Sequence, residues 1–246
     1  MRILNVISCY NDIDYLPYVV QYYNDQGVDL YLIDNYSTDG CFEWAKQHNI
    51  ACHRIDTQGK DHDEVMHLAQ LAVMHKYKPD WVIFGGGDRF IVTPSMSIKS
   101  VAQSCQEKGF NIIKCRRLEF CDTGEKREKV HPLKMFRHYI EAGGHSKYTI
   151  CMHKYHSQNC YKGGLVQVDY PKICKIEGYE LSFEATKPLE VREEKYLRKQ
   201  QLIKKRVLGI EEAATLPQDK AKRIWNKSDL LDIRNLDFLR GFIDAA

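Results

Sequence analysis

The chain has 246 residues, 43% of them apolar, which suits one large domain with a sizeable core and excludes a disordered chain. Lys and Arg outnumber Asp and Glu by only 36 to 33, so overall charge gives no case for nucleic-acid binding. Nine cysteines without a C-x-x-C pair argue for a reducing cytoplasm over a disulfide framework, and no run has the apolar length of a signal peptide or membrane span, so a soluble protein is expected.

In chain order, Ile3–Ser8 reads as a strand, Tyr15–Gln26 as a helix, Asp29–Ile33 as a strand and Cys41–His48 as a helix. A strand at Ile50–Ile55, a helix at Asp63–Lys76 and a strand at Trp81–Phe84 follow. Then come a β-like run at Arg89–Val92, a helix at Ile98–Lys108 and a strand at Phe110–Cys115. This alternation predicts βαβ units, hence an α/β fold with a mostly parallel sheet flanked by helices. Residues 121–190 lose the alternation and are expected to supply loops and mixed strands over the ligand edge of the sheet. From Val191 the pattern is helical, with Tyr196, Ile203, Val207 and Ile210 on one stripe of a basic helix. Pro217 breaks it, and short helices are expected around 219–225 and 230–242, making 191–246 a C-terminal helical segment of one compact domain. The basic helix fits packing on its own domain or peripheral contact with an anionic membrane surface.

Two strand ends carry chemistry. The apolar run from Leu30 stops at Asp34-Asn35-Tyr36-Ser37-Thr38-Asp39-Gly40, and ligands of open α/β sheets gather at such carboxyl ends. Asp34 can accept hydrogen bonds from a nucleobase or ribose, while Ser37, Thr38 or Asp39 can cap the helix from Cys41. Gly85-Gly86-Gly87-Asp88 follows another strand, where glycine allows either a positive φ or close approach of a ligand to the backbone. A dinucleotide fingerprint would need G-x-G-x-x-G opening a helix near the first strand, whereas these glycines lead into Arg89–Val92. Lys60, between the third strand and its helix, is a candidate phosphate or nucleoside ligand in what is otherwise a solvated loop.

Three segments in this order resemble the nucleotide-sugar-binding domain of GT-A type glycosyltransferases of the family 2-like group. Ile7-Ser8-Cys9-Tyr10-Asn11-Asp12 is similar to that family's strand followed by Asn-Glu, with Asp12 in place of Glu. Ile33–Gly40 is similar to its Asp-Asp-x-Ser-x-Asp-Gly signature, and Asp80–Phe90 to its Trp-strand ending in Asp-x-Asp-Glu-Phe. The resemblance covers residues 1–120 and implies a GT-A-like, Rossmann-like fold whose first half binds a nucleotide-diphosphate sugar. It implies transfer of the sugar, with inversion, to a hydroxyl of a glycan or lipid-linked acceptor in polysaccharide or glycan synthesis. Asn11, Asp34, Asn35, Lys60 and Arg89 are the residues it implies at the nucleotide.

Asp88 is expected to organise the diphosphate and sugar, through manganese or magnesium if a divalent ion is used. Gly86 stands where the first carboxylate of the Asp-x-Asp pair is usual, and Arg89 where an acid is usual. This leaves three readings: a metal held by Asp88 with a histidine or water, charge neutralisation by Arg or Lys, or an inactive site. His145, His153 and His156 are the candidate histidine ligands, and Glu119, Asp122 and Glu141 the candidate general bases for the acceptor hydroxyl. The rival readings are a catalytically silent GT-A-like module that binds a sugar nucleotide or glycan, and a nucleotidyltransferase.

Overall fold

The computed structural model describes residues 1–57, 63–122, 129–136, 138–141, 148–157, 160–162, 165–167, 171–183, 186–187 and 231–232. Strand β1 (Ile3–Cys9) is buried along most of its length, with Ile3 and Ile7 in one core and Leu4 and Val6 in another. Helix α1 (Leu16–Asp25) opens with Pro17 in its first turn and buries Leu16, Val19, Val20 and Tyr23, a single helical stripe. β2 (Asp29–Asp34) runs parallel to β1 and sets Asp34 beside Cys9. α2 (Cys41–Gln47) leads to β3 (Ala51–Arg54), which sets Arg54 beside Asp34. α3 (Asp63–Tyr77) leads to β4 (Trp81–Ile83), parallel to β1 on its other side.

The second half opens with β5 (Arg89–Val92) and α4 (Ile98–Glu107), whose N-cap Ser97 accepts from the Ser100 amide. β6 (Ile112–Cys121), α5 (Pro132–Met135), β7 (His138–Glu141) and β8 (Tyr148–Lys154) follow. A hairpin of β9 (Cys160–Lys162) and β10 (Leu165–Gln167) precedes β11 (Ile173–Ser182) and the short β12 (Leu231–Asp232).

Among the described residues these strands build a 10-stranded sheet, in the order β12-β7-β6-β8-β4-β1-β2-β3, with β11 joining β6 to β5. The expected α/β class holds, with its parallel part confined to β3-β2-β1-β4 and the β6–β11 pair. The other contacts that join β4 to β8, β8 to β6 and β5 to β11 are antiparallel. Strand β6 runs well past the expected Cys115, because Leu118 and Phe120 are buried in register with β11 and β7. Leu231 and Asp232, expected within a helix over 230–242, instead pair with β7. The open edge of β7 offers backbone groups that the local helical pattern does not register. The remainder of the expected C-terminal helices lies outside the described residues.

One apolar core fills the space between the sheet and α1, α2 and α4; a smaller one, with Met66, Val73 and Met74, lies under α3 on the opposite face. Each fully buried Leu or Val of these clusters contributes roughly 1.5–3 kcal/mol, so β1, lined on both faces, is held firmly beneath the loop that follows it. Among the described residues no helix is long and apolar enough to cross a membrane.

Candidate functional site

The ends of β1 and β4 and the segment after β2 are joined through their backbones. The Asn35 amide donates to Cys9 O at 2.9 Å, Ser8 N to Gly85 O at 3.0 Å and Gly87 N to Ser8 O at 3.1 Å. Side chains tie the loops beyond. Asn11, with φ of 52°, accepts the Thr38 amide at 2.8 Å, and its own amide donates to Ser37 Oγ at 3.0 Å. Asp39 accepts Ile13 N at 2.8 Å and Cys41 N at 3.1 Å, so it ties the first residue of α2, whose N-cap is Gly40, to the loop after β1. Together these segments enclose a cavity of about 170 Å³ lined by Tyr10, Asp12, Asn35, Asp88, Arg89 and Lys187, with His67 and Gln70 of α3 on its wall.

A buried charge cluster forms one side of it. Lys187 Nζ contacts Asp12 Oδ1 and lies 3.0 Å from Asp88 Oδ2, while Arg89 Nε lies 3.8 Å from Asp88 Oδ1. Asp12, Asp88 and Lys187 are each 5% exposed or less, and Arg89 is half-buried. Burial pushes the Asp12 carboxyl above its ordinary range, a rise opposed by Lys187. Lys187 reaches this place through β11. Phe183, stacked on Phe120 with centroids 4.5 Å apart, donates its amide to Asp88 O at 3.1 Å. Thr186 then bonds Phe183 O and shares a 2.8 Å hydrogen bond with Tyr15 OH, which sets Lys187 over the strand ends.

The three glycines serve close approach, and none has a positive φ. A Cβ on Gly87 would stand 2.7 Å from the Asp12 side chain, and one on Gly85 would stand 2.5 Å from Asn5 Oδ1. A Cβ on Gly86 would meet Asp88 Oδ1 at 2.9 Å, so the place of the missing first carboxylate is already crowded.

The expected residues take different positions. Asn35 lines the cavity and accepts Thr57 Oγ1 at 2.7 Å. Asp34 lies just behind, fully buried, accepting Arg54 Nε at 2.9 Å and the Ser37 amide at 3.2 Å. Asn11 holds the two loops together. Glu119 stands in a cross-strand row Arg89–Ser182–Glu119 over β5, β11 and β6. With strands about 4.8 Å apart, it is roughly 10 Å from Arg89 on the same face. Glu141 is at the β7 end, 3.9 Å from Arg116, and Asp122 follows β6 half-buried.

His153 is buried behind the cavity, stacked on the cavity-lining Phe84 at 5.2 Å, with Nδ1 3.1 Å from Lys154 O; burial lowers its pKa to about 4. His156 is exposed after β8. Lys60 and His145 lie outside the described residues. Asp12 and Lys187 were not singled out as ligands from the sequence. Asp12 was legible as the acidic end of the first resembling segment, whereas Lys187 sits in Ala185-Thr186-Lys187-Pro188, which carries no local signal.

The resemblance implies a divalent ion at Asp88. The two carboxylates that face each other there, Asp12 and Asp88, hold the Lys187 ammonium between them, and Gly86 adds no ligand. Among the described residues no cluster of His, Cys, Asp and Glu side chains has the arrangement of a metal site. This donor set fits a cation supplied by the chain itself and does not fit a divalent ion while Lys187 is in place.

No protein-family model matches the chain, and no curated protein matches it in sequence. Among solved structures, S. aureus TarS 1–349 in complex with UDP-GlcNAc matches 52% of this chain and 37% of its own length, at 14% identity and a TM-score of 0.40. TarS 1–349 alone matches 91% of this chain and 69% of its own, at 10% identity and a TM-score of 0.47. CMP:2-keto-3-deoxy-manno-octonic acid synthetase complexed with CTP matches 63% and 74%, at 14% identity and a TM-score of 0.33. The first of these matches thus spans little more than a third of its chain, and likeness of this degree transfers no residue role and no activity.

Proposed function

We propose that the chain binds a nucleotide-diphosphate sugar at the strand-end cavity and transfers the sugar, with inversion, to a hydroxyl of a glycan or lipid-linked acceptor. The observation that carries this reading is convergence. Segments far apart in sequence, ending in Asp12, Asn35 and Asp88, wall one cavity at the carboxyl ends of parallel strands. At about 170 Å³ it is smaller than the roughly 300–1,000 Å³ of whole-ligand pockets, so it suits the diphosphate rather than an entire donor. Asn35 and Lys60 would hold the nucleoside, with Asp34 fixing the loop that carries Asn35. Lys187 and Arg89 present positive charge to the diphosphate, and Arg can do so bidentately. Glu119 is the favoured general base, because it shares a sheet face with Arg89.

A thermal-shift screen against UDP, GDP and CDP and their sugars tests the reading, since a ligand selective for the folded state raises apparent stability. One nucleotide class is expected to raise the melting temperature, and its sugar to release nucleotide on addition of acceptor. Binding without turnover on any acceptor would favour a silent binding module, pyrophosphate release from a nucleoside triphosphate would favour a nucleotidyltransferase, and no shift with any nucleotide would end the proposal.

A further inference from the structure

Where the resemblance implies a divalent ion, this chain places a lysine ammonium between two carboxylates. Lys187 Nζ bridges Asp12 and Asp88, both buried, and Arg89 approaches the other oxygen of Asp88 at 3.8 Å. Two carboxylates facing two side-chain cations leave the cluster formally neutral, the same balance that a divalent ion would give to an aspartate pair. An ammonium is a compact donor-only cation that attracts carboxylate and phosphate oxygens alike, and a guanidinium adds a planar fork. Both cations line the cavity.

The placement is built into the fold. Lys187 is fixed by Phe183, whose ring is buried against Phe120 and whose amide bonds Asp88 O, and by the Thr186–Tyr15 hydrogen bond. Gly87 has no Cβ to hold Asp12 away, and Gly86 leaves the first acidic position empty of a side chain that would compete for the ammonium. The loss of the first carboxylate and the presence of Lys187 are thus two halves of one arrangement.

We infer that Lys187, assisted by Arg89, replaces the divalent cation, so that this site binds the diphosphate of its donor without metal. The inference rests on the proposed donor site and sharpens it.

Calorimetric titration of the full chain with inorganic pyrophosphate and with UDP, once in EDTA and once in manganese, tests it. Affinities in the two conditions should agree within about twofold. In Lys187→Ala, binding in EDTA should weaken on the order of tenfold or more, because a charge-assisted contact is lost and two carboxylates are left facing the phosphate. Manganese should restore that binding and raise the melting temperature of Lys187→Ala, whose two carboxylates then face an open site, while leaving the wild-type melting temperature unchanged. If Lys187→Ala folds only in manganese, the same conclusion follows. Wild-type binding that needs manganese, or pyrophosphate binding in EDTA unaltered by Lys187→Ala, would overturn the inference and leave the donor site standing. No binding of either probe in either condition would overturn both.

Discussion

Arg54 Nε lies 2.9 Å from Asp34 Oδ2, and this cross-strand pair joins β3 to the end of β2 immediately behind the cavity. Arg54 also lies over the Phe42 ring at 4.3 Å and pairs with Glu43, so the Asp34 carboxylate anchors a small cluster at the start of α2. Asp34→Asn should lower stability by about 2 kcal/mol: less than a fully buried pair, because Arg54 retains Glu43 and water. Asn35→Ala should instead weaken nucleotide binding with a smaller stability loss. Urea denaturation and nucleotide titration of the two variants separate these effects.

The glycine run predicts two outcomes. Gly87→Ala forces a methyl against Asp12, and overpacking of this kind costs about 1–3 kcal/mol, with a matching loss of pyrophosphate affinity. Gly86→Asp, which restores the Asp-x-Asp pattern, should not create a response to manganese on its own, because the new side chain meets Asp88 while Lys187 is still in place. Added to Lys187→Ala, which responds by itself, it should enlarge the manganese shift, and thermal melts of the single and double variants with and without manganese read this out.

Two buried histidines predict acid sensitivity. Burial lowers the pKa of His153 and of His131 to about 4, below the roughly 6.5 of an unfolded histidine. Both therefore favour the folded state above that unfolded value. As the pH falls from about 6.5 towards 4, the unfolded chain takes up protons that the folded chain refuses, and stability is lost. Each histidine adds a slope of up to about 1.4 kcal/mol per pH unit in that window. Denaturation at several pH values should show the loss, and His153→Phe should remove one share of the slope.

The row Arg89–Ser182–Glu119 predicts which carboxylate serves the acceptor. Glu119→Gln should cut sugar transfer about a hundredfold or more and leave donor affinity intact, as expected for loss of a general base. Glu141→Gln should have little effect, since its contact with Arg116 is an exposed pair at 3.9 Å, a type worth at most about 1 kcal/mol. Steady-state rates on one acceptor compare them.

Much of the first half was legible because its central strands β1 and β4 bury both faces. Ile3–Ser8, apolar apart from Asn5 and its terminal Ser8, and the apolar run Trp81–Phe84 read as strands, and α1 and α4 show single buried stripes. The strand-end positions of Asn35 and Asp88 follow from where the runs from Leu30 and from Trp81 stop. What escaped depends on long-range pairing. Strand β11 lies parallel to β6 and antiparallel to β5, and no local periodicity announces that it carries Lys187 to Asp88. The partner of Asp34 was hidden for the same reason, since Arg54 ends a neighbouring strand and meets Asp34 only through the β2–β3 register. The glycines showed that the backbone there is special, but not that Asn5 and Asp12 are what presses against it.

A crystal structure of the chain with a nucleoside diphosphate bound decides whether the segments bearing Asn35, Asp88 and Lys187 form one donor site. The expectation is phosphate oxygens within hydrogen-bonding distance of Lys187 Nζ and the Arg89 guanidinium, with the nucleoside beside Asn35. A nucleotide seated elsewhere, such as in the larger cavity between Tyr18, Trp44 and Phe136, with the Asp12–Lys187–Asp88 cluster untouched, would contradict it.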